Sequence, residues 1–410
     1  MFRLRCHPDP HPGGRLACAS CRRRRAGGLR RAPAVSALCA LSAVLALLVL
    51  TTGGVAAQSA QAQPGARAQT TVQPAAAGTS TSINSAGERS AAPRRRDNAR
   101  RGRTPDFADM VRQQSETDRL WQSAAEGYMQ VAKIRYRSRA GDLEIPAFVF
   151  QPLQLGQARS HPALVWVHEN IRGHLYEHYI PYIRQAIAKG YIVIAPEYRG
   201  SIGYGQQLYD AIDYGGAEVD DVVSAANVLT LRYPSVDPKR IGIIGWSHGG
   251  LITLLSIFRN QALFSSAVAI VPVTNLFQRL AYKGVEEHRA LIDPQNRFGG
   301  TPSEQPAVYR DRSPLFHVDR LRVPLRVHVA DNDTDVNIEE ALPLIDALRA
   351  RQPDLAETQV FQNPPGGHLF DRRVNLKTLQ PENTPAQRES WQKVWAFLDR
   401  TLQPPMPDGN

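Results

Sequence analysis

The chain has 410 residues, of which 42% are hydrophobic and 21% are charged, and its formal net charge at pH 7 is +11. The first 105 residues carry seventeen arginines against three acidic residues, so residues 106–410 have a net charge of about −3. The basic excess therefore lies outside the part of the chain that can form a core, which excludes nucleic acid as an expected partner of the folded part.

Residues 1–62 are predicted to form a signal peptide or an N-terminal anchor with a basic leader. A block of arginines precedes an apolar run at residues 32–50, and small residues at 55–57 and 60–62 offer cleavage sites. This order is typical of a secretory signal and predicts an exported protein, periplasmic or secreted. The alternative is a chain anchored in the membrane by residues 32–50, because that run approaches the length that spans a bilayer. Membrane attachment is expected through this segment only.

Residues 63–105 are predicted to form a disordered linker, because they are rich in Ala, Gln, Ser, Thr, Pro and Arg and hold almost no large apolar side chain. All four cysteines precede the cleavage sites, so the exported domain would have neither a disulfide nor a thiol nucleophile. Cys18 and Cys21 lie near two histidines, but the pairs come in the wrong order for a zinc finger. No metal and no cofactor are expected.

From residue 106 onward, short β-branched runs alternate with helical patterns, which predicts one α/β domain over residues 106–410. Its sheet is predicted to be eight-stranded, mostly parallel and covered by helices. No repeat of about 40 to 50 residues is visible, so no propeller is predicted. Strands are predicted at 131–137, 145–151, 163–169, 191–197, 240–245, 266–272, 325–330 and 358–362, and helices at 176–189, 219–231, 250–259, 339–349 and 386–402.

Residues 245–249 read Gly-Trp-Ser-His-Gly and lie between a predicted strand and a predicted helix. This is the context that the G-x-S-x-G motif requires, since a sharp strand-to-helix turn raises the serine hydroxyl above the sheet. Glycines are expected on both sides of the turn because a β-carbon there would collide with neighbouring backbone. Ser247 is therefore the candidate nucleophile.

An acid and a histidine are expected after later strands of the same sheet. Asp331, Asp333 and Asp335 follow the seventh predicted strand, and His368 follows the eighth. His368 would take the serine proton as general base, and an aspartate would orient its imidazole. Asp333 is favoured, since Asp331 lies close to the strand end and Asp335 faces the following helix, but all three aspartates stay open as the acid.

The loop after the third predicted strand is expected to help bind the oxyanion. The candidate donors are the backbone N–H groups of His248 and Asn170. Glu169 in that loop is interpreted as an ordinary strand-end carboxylate rather than a catalytic group. His174 and His178 are four residues apart, but nothing nearby completes a zinc site, so both are expected to be surface histidines.

Five separated segments resemble the catalytic domain of the prolyl oligopeptidase family, within the α/β-hydrolase superfamily. The resemblance runs from about residue 162 to residue 402 and rests on residues 196–229, 236–250, 309–327, 331–348 and 366–368. It implies that Ser247, Asp333 and His368 form a catalytic triad. It also implies that Arg199 and Tyr204 lie in a loop near the substrate entrance and bind substrate.

The resemblance implies a serine peptidase that acts through an acyl-enzyme, with a peptide as substrate. Residues 168–171 read His-Glu-Asn-Ile where the family usually has His-Gly-Gly-Pro. The sequence found here looks more like that of relatives of dienelactone hydrolase. Those enzymes, however, use a cysteine nucleophile where this chain has Ser247. The propeller of larger family members is also missing. A carboxylesterase or dienelactone-hydrolase-like ester hydrolase is therefore the alternative, and a catalytically silent binding protein is the third. Residues 274–323 are expected to form a small lid over the site.

Overall fold

The computed structural model of the chain describes residues 105–404. The predicted leader, residues 1–62, lies outside the described residues, as do the four cysteines and all but the last residue of the predicted linker. Within the described range, no helix is both long enough and apolar enough to cross a membrane.

Eight strands form one sheet: β1 (Gln130–Arg137), β2 (Glu144–Gln151), β3 (His161–Val167), β4 (Ile192–Pro196), β5 (Val236–Trp246), β6 (Ser266–Ile270), β7 (Leu325–Ala330) and β8 (Ala356–Phe361). Their order across the sheet is β1-β2-β4-β3-β5-β6-β7-β8. The β1–β2 and β2–β4 pairs are antiparallel, and the other neighbouring pairs are parallel. The eight predicted strands and the mostly parallel sheet are confirmed, with β5 beginning earlier than predicted.

The parallel part of the sheet positions the candidate site. Strands β3, β4 and β6 are buried along their whole length, which explains their continuous apolar sequences, because helices cover parallel strands on both faces. Parallel strands end at the same edge of a sheet, so the loops that follow β3, β5, β7 and β8 meet there. The predicted catalytic and oxyanion residues follow these four strands, whereas Arg199 and Tyr204 follow β4.

Helices cover both faces of the sheet, which separates two hydrophobic core clusters, one on each face. The five predicted helices are confirmed, although the first is split into a 3-10 turn (Glu177–Tyr179) and an α-helix. Among residues 105–404, five further α-helices were not predicted. In chain order the helices are α1 (Phe107–Ala125), α2 (Ile180–Ala188), α3 (Gln206–Asp210), α4 (Ala217–Arg232), α5 (His248–Arg259), α6 (Leu276–Tyr282), α7 (Val285–Ile292), α8 (Pro306–Asp311), α9 (Ile338–Arg351) and α10 (Pro385–Leu402).

Helix α1 is stabilised by docking on the sheet rather than by its own polar sequence. Trp121 is fully buried and packs against the rings of Phe148 and Phe150, with centroids 6.1 and 4.9 Å away. Its indole Nε1 donates to the carbonyl oxygen of Leu175 at 3.1 Å. Since few other apolar side chains mark the buried face of α1, the sequence pattern alone did not predict a helix here.

The core on the side of α1, α2 and α10 is aromatic and holds the residue before the candidate nucleophile. The Trp246 ring lies 4.9 Å from that of Trp166 and 6.2 Å from that of Trp391, measured between centroids. Its Nε1 donates to Asp371 Oδ2 at 2.6 Å. Trp246 is therefore fixed by packing and by a hydrogen bond, which gives Ser247 a rigid neighbour.

An insertion between β6 and β7 holds α6, α7, α8 and two 3-10 turns (Pro294–Asn296 and Pro314–Arg320). Glu340 at the start of α9 is fully buried and anchors this insertion. Its Oε1 accepts from the Thr274 N–H at 2.8 Å, and its Oε2 accepts from the Tyr282 hydroxyl. The insertion occupies the segment predicted to form a lid.

Candidate active site

Ser247 lies on a sharp turn between β5 and α5. Its backbone angles are φ 52° and ψ −116°, a conformation that costs a non-glycine residue about 1–3 kcal/mol and persists only where the surroundings hold it. The Ser247 N–H donates to Ile270 O at 3.0 Å, and the Ser247 carbonyl accepts from the Val273 N–H at 3.2 Å. The end of β6 therefore holds the turn, and the serine is 8% exposed.

The two motif glycines permit this turn because no β-carbon would fit. A β-carbon on Gly245 would lie 2.3 Å from the carbonyl oxygen of Gly249. One on Gly249 would lie 2.3 Å from the carbonyl oxygen of His168. The predicted steric reason for both glycines is confirmed, and the second contact packs the start of α5 against the end of β3.

Of the three candidate acids, Asp333 is the one that contacts the histidine. Its Oδ2 lies 2.7 Å from His368 Nδ1. Its Oδ1 accepts from the N–H groups of Asp335 and Val336 at 2.8 and 2.9 Å. Asp331 instead accepts from the N–H of Asn363. The turn after β7 thus orients both oxygens of Asp333, and the structure brings Asp333 and His368 together.

Ser247 and His368 lie in loops at the same edge of the sheet, but among the described residues no hydrogen bond joins Ser247 Oγ to His368 Nε2. Contacts of this kind are often long without substrate and tighten when it binds. With Nδ1 engaged by Asp333, the proton of a neutral imidazole belongs on Nδ1 and the lone pair on Nε2. His368 can therefore act as a base toward a hydroxyl, and Ser247 as nucleophile remains a prediction.

The loop after β3 packs beside the start of α5, where the oxyanion donors were predicted. His248 is the first residue of α5, so its N–H has no partner within the helix. Asn170 is exposed and has a left-handed φ of 68°. In the described part of the chain, neither N–H takes part in a loop or turn hydrogen bond. Both amides are thus available near the Gly249–His168 contact, and their convergence on an oxyanion stays a prediction.

The side chain of His248 has a role that the motif did not predict. Its Nε2 forms a hydrogen bond with Glu218 Oε1 in α4. The His248 ring packs edge-on against Tyr214, with centroids 4.5 Å apart. Glu218 is fully buried and also accepts from the Gly215 N–H at 2.8 Å. The pair anchors the first turn of α5 to α4.

A buried arginine that the sequence analysis missed links the histidine loop to the loop after β3. Arg372 forms ion pairs with Glu169 and, at 2.8 Å, with Asp371. Its Nη1 donates to the carbonyl oxygen of His368 at 2.9 Å. Burial raises the pKa of Glu169, but the neighbouring positive charge, chiefly that of Arg372, outweighs burial and holds that pKa below its usual value. Glu169 is therefore a buried ionic partner rather than an exposed carboxylate, and the interpretation that it is not a catalytic group stays a prediction. No local sequence pattern indicates such a pair.

Arg199 is a buried residue whose guanidinium is already engaged. Its Nε and Nη2 donate to the two carboxylate oxygens of Asp221, each at 2.8 Å. Nη2 also donates to Ala140 O at 3.0 Å. A bidentate pair of this kind fixes the side chain. These contacts favour a structural role for Arg199 over the substrate-binding role that the family resemblance implied.

Tyr204 is half-buried, and its hydroxyl faces the carboxyl of Glu197. Neither the hydroxyl nor Glu197 Oε2 has a hydrogen-bond partner of normal geometry in residues 105–404. Burial raises the pKa of Glu197 to about 8, partly offset by its bond from the Leu175 N–H. The side chain of Tyr204 thus faces a buried acid, and its contact with substrate stays a prediction.

His174 and His178 are not surface histidines, so that prediction is wrong. They precede α2, where their rings lie on either side of Tyr176 at centroid distances of 4.4 and 5.2 Å. His178 Nε2 lies 3.5 Å from Glu169 Oε1. Burial lowers the pKa of both histidines to about 4, which keeps them neutral near pH 7. Within residues 105–404, no group of three or more His, Cys, Asp or Glu side chains is arranged to hold a metal ion.

A family model described as "Prolyl oligopeptidase family" matches residues 179–404, which is more than half of the chain. The matched range contains Ser247, Asp333 and His368. It begins after the loop that holds Glu169 and Asn170.

Two similar proteins of Bacillus subtilis (strain 168) are named as peptidases. "Uncharacterized peptidase YuxL" is 28% identical over 256 residues, which cover 60% of this chain and 37% of that protein. "Uncharacterized peptidase YtmA" is 29% identical over 168 residues, which cover 41% of this chain and 62% of that protein. The chain therefore spans less than two thirds of the length of either relative.

Two solved structures share the fold. An acylaminoacyl peptidase in complex with Z-Gly-Gly-Phe-chloromethyl ketone has a TM-score of 0.56 at 21% identity, over 69% of this chain and 43% of that one. A Mycobacterium tuberculosis puromycin-hydrolyzing peptidase has a TM-score of 0.55 at 24% identity, over 67% and 39% of the two chains. These likenesses show an α/β-hydrolase fold.

Proposed function

The chain belongs to the prolyl oligopeptidase family, and from that membership we propose that it is a serine peptidase that cleaves peptide or amide bonds through an acyl-enzyme. The observation that carries the proposal is the 2.7 Å contact between Asp333 Oδ2 and His368 Nδ1. An aspartate on Nδ1 leaves Nε2 as the basic nitrogen, which is the arrangement that activates a serine hydroxyl. Ser247, on its strained turn at the same edge of the sheet, is the hydroxyl that this base would serve.

In the proposed mechanism, His368 Nε2 takes the proton of the Ser247 hydroxyl while Oγ attacks the scissile carbonyl carbon. Asp333 stabilises the imidazolium that forms. The N–H groups of His248 and Asn170 donate to the oxyanion, which carries its charge only in the tetrahedral intermediate. His368 then protonates the leaving amine, and the acyl group stays on Ser247 until a water molecule, deprotonated by the same imidazole, releases it.

Labelling with a fluorophosphonate probe tests the proposed nucleophile. We expect wild-type protein to be labelled and Ser247→Ala to lose the label, because the probe reacts with an activated serine hydroxyl. Ser256→Ala is the matched control, because Ser256 is a buried serine in helix α5, which follows the Ser247 turn. Ser256 should not react with the probe, so this variant should keep the label. Labelling that survives in Ser247→Ala would show that another residue is the nucleophile. An unlabelled, inactive wild type would favour the silent binding protein.

An ester hydrolase is the second candidate function. The loop at residues 168–171 favours it, because Glu169, which pairs with the buried Arg372, occupies a place where the family usually has glycine. The described residues also contain no propeller that would restrict the site to short peptides. A library of peptides and a series of p-nitrophenyl esters, each assayed with wild type and Ser247→Ala, separates the two functions. Serine-dependent cleavage of peptides supports the peptidase, and serine-dependent cleavage of esters alone supports the esterase.

Export is proposed on the leader in residues 1–62, and anchoring by residues 32–50 is the alternative. Cell fractionation with N-terminal sequencing distinguishes the two. A mature chain that starts near residue 58 or 63 supports cleavage, and a full-length chain in the membrane fraction supports the anchor. No nucleic-acid partner is proposed, because the basic excess lies in the first 105 residues.

A further inference from the structure

Tyr198 is a fully buried residue just after β4 whose hydroxyl contacts the loop after β3. The hydroxyl donates to the carbonyl oxygen of Asn170 at 2.7 Å and to that of His168 at 3.1 Å. A tyrosine hydroxyl has one proton, so this proton is shared between two carbonyl oxygens. Burial, and next the charge of Glu218, raise the pKa of Tyr198 well above its usual value. The hydroxyl therefore stays a donor at any working pH.

The ring of His168 holds the peptide group that lies between those two carbonyls. It stacks on the Tyr198 ring, with centroids 4.2 Å apart and planes 14° apart. Its Nδ1 bonds to Glu169 O at 2.9 Å, and its Nε2 bonds to Ser201 Oγ at 3.0 Å. Burial lowers the pKa of His168 to about 3, so the neutral ring donates through Nδ1. Because a peptide group is planar, fixing Glu169 O also fixes the Asn170 N–H.

Three consecutive peptide groups are thus held by two stacked side chains. Asn170 needs such support, because its φ of 68° is a conformation that non-glycine residues adopt uncommonly. The His168 carbonyl oxygen that accepts from Tyr198 is also the atom that a β-carbon added at Gly249 would meet most closely. The loop is therefore held at a defined place relative to the first turn of α5.

We propose that Tyr198 and His168 are positioning residues, which aim the Asn170 N–H at the oxyanion that forms when Ser247 attacks. This inference rests on the proposed function and extends it. The two residues act through the backbone of the loop, since their polar atoms are engaged by Asn170, His168, Glu169 and Ser201.

The variant Tyr198→Phe tests the inference in the full-length chain, with p-nitrophenyl acetate as substrate. It keeps the stacked ring and removes the donor that holds two carbonyl groups. An oxyanion donor stabilises the transition state more than the bound substrate. We therefore expect kcat to fall about tenfold or more while KM changes by less than about twofold.

Tyr136→Phe is the matched control. The Tyr136 hydroxyl is also buried and donates to a backbone carbonyl oxygen, that of Asp221 at 2.9 Å, but it does not contact the loop after β3. We expect kcat of this control to stay within about twofold of wild type. A wild-type kcat for Tyr198→Phe, or an equal loss in both variants, would overturn the inference.

Two further measurements keep the test decisive. If Tyr198→Phe does not fold, Ser201→Ala replaces it, because it removes the partner of His168 Nε2 and leaves Tyr198 in place. We expect a smaller loss of kcat at unchanged KM, and a wild-type kcat in Ser201→Ala would overturn the inference. Failure of the proposed function is a different result, since wild type would then show neither fluorophosphonate labelling nor turnover.

Discussion

Asp333 serves two purposes through its two carboxylate oxygens. Oδ2 contacts His368, while Oδ1 accepts two N–H groups of the turn after β7. The turn therefore orients the carboxylate before any substrate arrives. Preorganisation of this kind is what allows an aspartate to hold one imidazole tautomer during catalysis.

Replacing Asp333 by asparagine should keep the turn and disrupt the base. The amide oxygen can still accept from the turn, but an NH₂ group placed at Oδ2 cannot accept from His368 Nδ1–H. We expect kcat to fall by about 10³- to 10⁴-fold with the fold retained, as measured by p-nitrophenyl acetate hydrolysis and circular dichroism. His368→Ala should also lose most turnover while it retains the fold.

Asp335→Asn is the control for this prediction. Asp335 is exposed and meets Asp333 through its backbone N–H rather than through its side chain. We expect its kcat to stay within about twofold of wild type. Full activity in Asp333→Asn together with loss in Asp335→Asn would show that the acid has been assigned wrongly.

At the scale of elements, the contact between α5 and the end of β3 depends on the missing side chain of Gly249. Gly249→Ala would place a β-carbon 2.3 Å from the His168 carbonyl oxygen and 2.4 Å from that of Val167, so the start of α5 must move. We expect the free energy of unfolding to fall by about 1–3 kcal/mol and turnover to be lost, since the displaced turn carries Ser247. Urea unfolding and ester hydrolysis measure the two effects.

Gly284→Ala provides a neutral comparison for Gly249→Ala. Nothing lies within 4 Å of a β-carbon added at Gly284, and its φ of −71° suits any residue. We expect a change in the free energy of unfolding within about 0.5 kcal/mol. Equal effects of the two substitutions would contradict the steric account of the turn.

Helix α1 precedes the residues that the family model matches, yet it contributes to the core. Trp121→Ala removes a fully buried indole and should lower the free energy of unfolding by about 3–5 kcal/mol. Leu120→Ala changes the adjacent residue, which is 37% exposed, and should cost less than about 1 kcal/mol. Equal losses in urea unfolding would mean that α1 does not dock through Trp121.

At the scale of the whole molecule, histidines whose pKa is lowered by burial, among them His168, His174 and His178, should limit stability in acid. Burial lowers the pKa of His168 to about 3 and that of His174 and His178 to about 4. Below their ordinary pKa of about 6.5, the unfolded chain binds protons that the folded chain does not. Each histidine therefore lowers the free energy of unfolding by up to about 1.4 kcal/mol per pH unit as the pH falls below that value.

Glu197 should limit stability on the alkaline side. Its pKa is raised to about 8 by burial, so the folded chain keeps a proton that the unfolded chain releases near pH 4.3. The stability from this group is complete below the unfolded pKa and is lost as the pH rises to about 8. Between about pH 4.5 and 6.5, the fall in the free energy of unfolding caused by Glu197 as the pH rises offsets the gain from one histidine. Above about pH 6.5 these histidines add no further gain, while the fall caused by Glu197 continues up to about pH 8.

These opposing groups predict a maximum in the free energy of unfolding near pH 6.5, measured by urea unfolding from pH 4 to 9. Glu197→Gln should flatten the alkaline decline, and His174→Gln should reduce the slope in acid. A wild-type stability that rises steadily from pH 6.5 to 8.5 would contradict the prediction. A Glu197→Gln curve parallel to that of wild type would also count against it.

The sequence alone determined the sheet, the order of its strands along the chain and the place of the serine turn. Buried parallel strands must be continuous apolar runs, and a serine turn of this kind needs Gly245 and Gly249, so both features are visible in neighbouring residues. His368 could be named because it follows a strand that ends at the same edge. Helix α1 could not be predicted, since its stability depends on one docked tryptophan.

Only the tertiary structure decided which side chains support the candidate site. The sequence favoured Asp333 but left Asp331 and Asp335 open as the acid, and only the turn after β7 brings one of them, Asp333, to His368. The Glu169–Arg372 pair and the contacts of Tyr198 join residues from different loops, and no periodicity connects them. A pattern along the chain reports on residues a few positions apart, whereas these contacts depend on how separate strands end beside one another in the folded sheet.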